Sequence, residues 1–384
     1  MRNLRTKRTF LGFFFLLLLL GSVYILGERS KCKWEYDGSL IGVWDGKVAL
    51  LKDNSLLILN ITNGKAIKGF PDAKRAFLIG DTLSITAASE VLSINLDDFT
   101  ITKLNMPKDV DSAELMFAIN LGSFQLYSTL HSVRGKYNFE IIEYYVCTEN
   151  CLVYPFKVPP NSYPLICTFP GGYVLTFKTN DAFTNGSAVV LNKNGGFMWN
   201  VTTRYAISDF EYSNNTLFFS TGGTEPGGTL ITGGGIYAFS LNGSLKWHIN
   251  LRNYEGKFYD WGIAGMKAHN GDLYVVGYTG RIYIIDSNGK LKKIVASPVY
   301  KRLKTPSLIK DVKVAKDDLI AFAYLDIKTS GLFREARGIC VYDFGNFKCW
   351  RTKEPVSKIL VWDKWVIRED TNGEVCAWKM GVKR

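Results

Sequence analysis

The fold class predicted by this sequence is all-β: an eight-bladed β-propeller with an N-terminal transmembrane helix. Three observations predict it. A strand-like segment recurs eight times, from Leu56-Leu57-Ile58-Leu59 to Val375-Cys376-Ala377-Trp378. Its seven steps average about 46 residues, within the roughly 40–50 of all-strand propeller repeats. A tight-turn signal precedes each recurrence, and the parts of one repeat are split between the two chain ends. Composition agrees: 36 Gly, 20 Tyr and 24 Phe in 384 residues favour turns and strands.

The first element is apolar. Arg2, Arg5, Lys7 and Arg8 precede an uncharged stretch, residues 9–27, containing Phe13-Phe14-Phe15 and Leu16 to Leu20. As a helix it spans about 28 Å, close to the ~30 Å hydrocarbon core of a bilayer. The basic flank is expected to stay cytoplasmic, which sends the rest across. The segment reads as an uncleaved signal-anchor. The alternative is a signal peptide cut after Gly27, where Ile25 fits a small-residue position poorly. The expected domains are therefore 1–30, a basic tail and membrane helix, and 31–384, a propeller ectodomain.

Each following unit opens with a turn of Asn, Asp and Gly and continues as a strand. Asp45-Gly46-Lys47 leads into Val48-Ala49-Leu50, and Gly80-Asp81-Thr82 into Leu83-Ser84-Ile85. Gly122-Ser123 and Gly171-Gly172 serve the third and fourth units, Asn214-Asn215 and Asn270-Gly271-Asp272 the fifth and sixth. Asp317-Asp318 and Asp363-Lys364 complete the series. These residue types supply the positive φ of two-residue hairpins. A further turn precedes the outer strand, as in Thr62-Asn63-Gly64-Lys65 and Ser287-Asn288-Gly289-Lys290, and a Trp recurs after it at Trp199, Trp247 and Trp350. The last unit, 355–380, has three strands. Its fourth stands at the other end as Lys31-Cys32-Lys33-Trp34-Glu35-Tyr36, which is like Leu245-Lys246-Trp247-His248-Ile249. Pairing the two ends removes an open sheet edge.

Gly235-Ile236-Tyr237-Ala238-Phe239, Asn242-Gly243 and Leu245-Lys246-Trp247 together resemble the quinoprotein-type (PQQ-like) propeller repeat. Gly280 to Asp286 with Asn288-Gly289-Lys290 resembles it too. The resemblance implies eight blades. The family's quinone enzymes use a Ca²⁺ site and a catalytic Asp, and no residue here maps onto them, so no cofactor is expected. The repeat Trp residues are expected to bury their rings between blades.

Seven Cys and three widely separated His (His131, His248, His269) give no zinc spacing. Disulfides suit an exported chain. Cys147 with Cys151 and Cys340 with Cys349 flank turns, so antiparallel pairing puts each couple opposite; unpaired buried thiols are the alternative. Cys32 and Cys376 become neighbours if the ring closes through its ends, leaving Cys167. Sequons at Asn60, Asn185, Asn200, Asn214 and Asn242 are candidate glycosylation sites.

Formal charge is +12, of which residues 1–31 hold +5, leaving a mildly basic ectodomain. Lys290-Lys292-Lys293 and Lys301-Arg302-Lys304 are short clusters without a recognition module, so nucleic acid is not expected. Gly-x-Ser-x-Gly, His-Glu-x-x-His and Ser-x-Asp-x-Gly-x-x-Trp are missing, so no catalytic residue is assigned.

Three long segments remain. Thr221 to Gly235 is Gly-rich and contains Glu225. The link into the sixth unit carries Tyr254, Phe258, Tyr259 and Trp261. Asp326 to Arg337 carries Arg334 and Arg337. All belong to one face of the ring, so Glu225, Tyr254, Tyr259, Trp261, Arg334 and Arg337 form the candidate binding face. The functional expectation is a single-pass cell-membrane protein whose extracytoplasmic propeller binds an envelope protein or a surface glycan or peptide. The alternatives are a propeller enzyme with a site at the central channel, quinone-dependent or hydrolytic, and a structural surface component.

Overall fold

The computed structural model describes residues 32–380 except 88–89, 109, 111–113, 134–137, 180–183, 225–230, 252–261, 299–308, 318 and 327–335. The candidate membrane segment 9–27 lies outside these. Among the described residues no helix is long and apolar enough to cross a membrane.

Among the described residues, thirty-two strands form eight antiparallel four-stranded sheets. Blades one to seven span 39–70, 75–104, 115–158, 163–203, 207–250, 263–296 and 309–351. Each is a meander of strands a to d, and most successive a strands touch, so they line the centre of the ring. Blade eight combines Val356–Trp362, Trp365–Asp370 and Glu374–Lys379 with Trp34–Asp37 as its d strand. Trp34 stands opposite Ala377 and Asp37 opposite Glu374. The ends therefore close the ring as expected, and the Cys32–Cys376 disulfide clasps them, with Cα atoms 5.5 Å apart.

Burial follows position in the blade. The b and c strands are apolar on both faces, and all five residues of the blade-six c strand Arg281–Ile285 are buried. The blade-one d strand Ala66–Phe70 is exposed until Phe70. There is no single core. Eight apolar clusters form, one at each blade-to-blade interface.

The recurrent Trp is a latch. The indole N–H groups of Trp34, Trp199 and Trp247 donate to Ile61, Leu241 and Ser287 carbonyls in the next blade, at 2.6, 2.9 and 2.9 Å. Each ring lies on a glycine of that blade's c–d turn: Gly64, Gly243 or Gly289. There φ is +70°, +86° and +82°, and a Cβ would come within 2.7–2.8 Å of the indole. Only glycine satisfies both demands. Trp350 departs from this for a topological reason. Its neighbour, blade eight, takes strands c and d from opposite chain ends, so no c–d turn exists for it. Trp350 instead meets Trp378 edge-on, with centroids 6.1 Å apart.

The Gly-rich segment differs from the expected long loop. The blade-five hairpin continues through it, pairing Gly222 with Gly233 and Thr224 with Ile231. Gly222 packs under blade six, where a Cβ would sit 2.9 Å from the Ile263 nitrogen, so close backbone approach accounts for a glycine inside a strand. The blade-seven insertion is also shorter than expected, because its hairpin pairing continues to Asp326 and Ala336. Arg337 lies within the strand Ala336–Tyr342, opposite Leu325.

Candidate functional site

Strand direction gives the ring two unequal faces. The a–b and c–d turns share one face, and none exceeds five residues. The b–c and d–a connections share the other, where six run to six residues or more: 105–114, 179–185, 225–230, 251–262, 297–308 and 327–335. Tight Asn, Asp and Gly turns explain the short face. Asn214 and Asn215 have φ of +48° and +54°, and Asn270 has +49°. A blade does not need more than a few residues to reverse direction, so the opposite face carries chain beyond what the turns require.

Of the six candidate binding residues, only Arg337 falls among the described ones. Glu225, Tyr254, Tyr259, Trp261 and Arg334 lie outside them, although the strands flanking their segments end on the long-connection face. Arg337 is half-buried, with a guanidinium nitrogen 4.0 Å from Glu354. Nearby on this face is a cleft of about 310 Å³ between blades seven and eight, lined by Tyr324, Leu325, Pro355, Val356 and Thr371.

The same face of blade three holds a cluster that sequence reading missed. His131 Nδ1 meets Glu114, and Nε2 lies 2.9 Å from Glu143, which also accepts from the Tyr145 hydroxyl at 2.7 Å. This ties the d–a connection to the b–c hairpin. The only local signal was cross-strand placement, and Glu114 comes from a different segment.

The channel is the place for catalysis in the alternative reading. Lys316 of blade seven reaches across blade six to Asp209 and Glu211 of blade five, at 2.8 and 2.9 Å, and donates to the Phe210 carbonyl at 2.7 Å. Lys267 of blade six stands 3.8 Å from Glu211. The Met266 amide donates to Asp209 at 2.6 Å. Burial pushes the Lys316 pKa down, but Asp209 and Glu211 more than offset it and hold it above the usual lysine value. A permanently charged amine is a counter-ion here and not a base. Cys167 faces the same cluster. The residue keeps part of its surface, but the sulfur is enclosed, and burial, with Asp209 next, pushes the thiol up to about 12. It is a protonated thiol and a poor nucleophile. These carboxylates hold three blades together. A similar latch joins blades eight and one: Lys358 donates to the Leu40 and Ile41 carbonyls, and the Leu40 amide to Glu369.

The other expected pairs form. Cys147–Cys151 and Cys340–Cys349 are disulfides, and Cys167 is the free cysteine. Asn185, Asn200, Asn214 and Asn242 are exposed. Asn60 is part-buried and accepts from the Thr62 amide and hydroxyl. Asn60, Asn214 and Asn242 belong to the short-turn face, Asn185 to the opposite one, and Asn200 to the blade-four outer strand.

No protein-family model and no curated protein matches the sequence. Solved structures do match in shape. BamB from Moraxella catarrhalis superposes with a TM-score of 0.53 at 10% identity, covering 91% of this chain and 99% of that one. The computationally designed Ika8 protein gives 0.52 at 10%, covering 92% and 100%. Sqt1 of Saccharomyces cerevisiae gives 0.52 at 11%, covering 91% and 98%. At such identities the likeness shows the fold alone.

Proposed function

We propose that this chain is a single-pass membrane protein whose extracytoplasmic propeller is an interaction scaffold. It captures an envelope protein or a surface ligand on the face of its b–c and d–a connections. The observation that carries the reading is the inequality of the faces: every connection longer than five residues lies on one of them. The quinoprotein-type repeat contributes the ring and not its cofactor. Three disulfides suit an oxidising compartment outside the cytoplasm.

The clasp supports an orientation under this reading. Cys32 precedes the outer strand of blade eight at its short-turn end. A membrane helix ending at Gly27 leaves residues 28–31, about 14 Å of extended chain, before that point. The short-turn face is then held near the bilayer and the long-connection face is presented away from it.

The test replaces residues 225–230 by Asn-Gly, a two-residue hairpin turn. The variant is expected to keep the melting temperature of the wild type and to lose partner cross-linking in native membranes. Undiminished cross-linking in this variant and in Arg337→Ala would contradict the reading.

A further inference from the structure

The short-turn face holds a groove that the scaffold reading does not use. It lies between blades five and six and encloses about 400 Å³, within the ~300–1,000 Å³ of small-ligand sites. The interface behind it differs from the one before. At the preceding interface, Trp199 is packed by Phe219 and Phe239, with centroids 6.2 and 5.3 Å away. One blade on, Trp247 holds the same latch, but the equivalent positions are Val275 and Ile285. Two rings have become two fully buried aliphatic side chains, and the groove lies outside them, against the latch itself.

Phe218, Trp247 and Leu273 make the groove's apolar side. Lys246, Asp272, Asp286, Asn214 and Asn288 contribute its polar side. The charges cancel locally. Lys246 donates to the Thr216 hydroxyl at 2.7 Å, Asp272 pairs with Lys292 at 2.7 Å, and Asp286 accepts from the Asn288 and Lys290 amides. A phosphate or other anion would need net positive charge, and a cation net negative. A neutral ring with one apolar face and many hydroxyls fits both the aromatic side and the amide and carboxylate side.

We infer that the blade five–six groove is a subsite for a neutral saccharide ring. The sugar has two sources. Asn214 lines the groove and heads the sequon Asn214-Asn215-Thr216, so a glycan carried by this chain can fold back into it, or a separate saccharide can enter. This inference is independent of the scaffold reading, since it concerns the opposite face.

The experiment reads oxidation of Trp247 by site-resolved mass spectrometry on the purified full-length protein, made in a glycosylating and in a non-glycosylating host. In unglycosylated protein, chitobiose, lactose and maltose are each added at about 50 mM, enough to occupy a weak, millimolar site. Protection of Trp247 by at least one sugar, about fivefold or more, supports a separate saccharide. Protection in the glycosylated protein that disappears in Asn214→Gln supports the chain's own glycan. Either protection should be lost in Ala268→Trp, which puts a ring into the groove from a part-exposed position of its lining. It should weaken several-fold in Asp272→Asn, which keeps the groove's shape; circular dichroism checks that both variants fold. Equal oxidation of Trp247 in every arm overturns the inference. So does protection that persists unchanged in Ala268→Trp and Asp272→Asn.

Discussion

Lys316 shows how much one side chain can organise in a ring. It gathers two carboxylates and a carbonyl from a blade that is not its neighbour, over 100 residues away in sequence. Removing one partner of an enclosed ion cluster strands the others, which typically costs about 3 kcal/mol or more. Lys316→Met is therefore expected to lower the urea midpoint sharply, and adding Asp209→Asn and Glu211→Gln to recover part of the loss. Cys167 gives a pH prediction. Its thiol is raised from 9.0 to about 12, so between those values the unfolded chain loses a proton that the folded one keeps. Stability is then fully present below pH 9 and declines as pH rises toward 12. Cys167→Ala should show a flatter alkaline limb in urea titrations at pH 8 and pH 10. Native protein at pH 8 should resist alkylation there. Gly243→Ala sets a Cβ against Trp199 at a positive φ, and a loss of about 1–2 kcal/mol is expected by denaturant unfolding.

At the scale of strands and turns, legibility followed the range of the interaction. The a–b turns were readable because Asp45, Asn214 and Asn270 sit at positive φ, a demand met by the residue itself. Ring closure was readable because Trp34 carries the same latch as Trp247. The ends of the blade-five and blade-seven hairpins were not. Glycine runs read as loops, yet close approach of blade six makes Gly222 a strand residue. The His131 and Lys316 clusters were equally hidden, since each joins segments brought together only by the ring. The Cys32–Cys376 clasp spans 344 residues. Chain-entropy models credit a loop of that length with about 6 kcal/mol. Cys32→Ser should lower stability by that order while the strand pairing of Trp34 with Ala377 holds the ring together. Far-UV circular dichroism unchanged at 25 °C, with a lower melting temperature, is the expected result.

For the whole molecule, the faces matter more than the blades. Eight interfaces, each with its own apolar cluster, make a rigid disc, and rigidity lets loops on one side vary without cost to the fold. Of the candidate site, only Arg337 can be compared with the sequence reading, and it was misplaced, since strand pairing opposite Leu325 depends on a partner distant in sequence. A photo-crosslinking amino acid placed in turn along both faces tests the central claim most directly. On the long-connection face the positions are Leu325, Arg337 and Thr371; on the short-turn face they are Asn215, Asn270 and Lys364. Each full-length variant is irradiated in native membranes. The scaffold account predicts one discrete adduct from the first three positions and none from the second three. Adducts confined to Asn215, Asn270 and Lys364, or absent from all six, would contradict it.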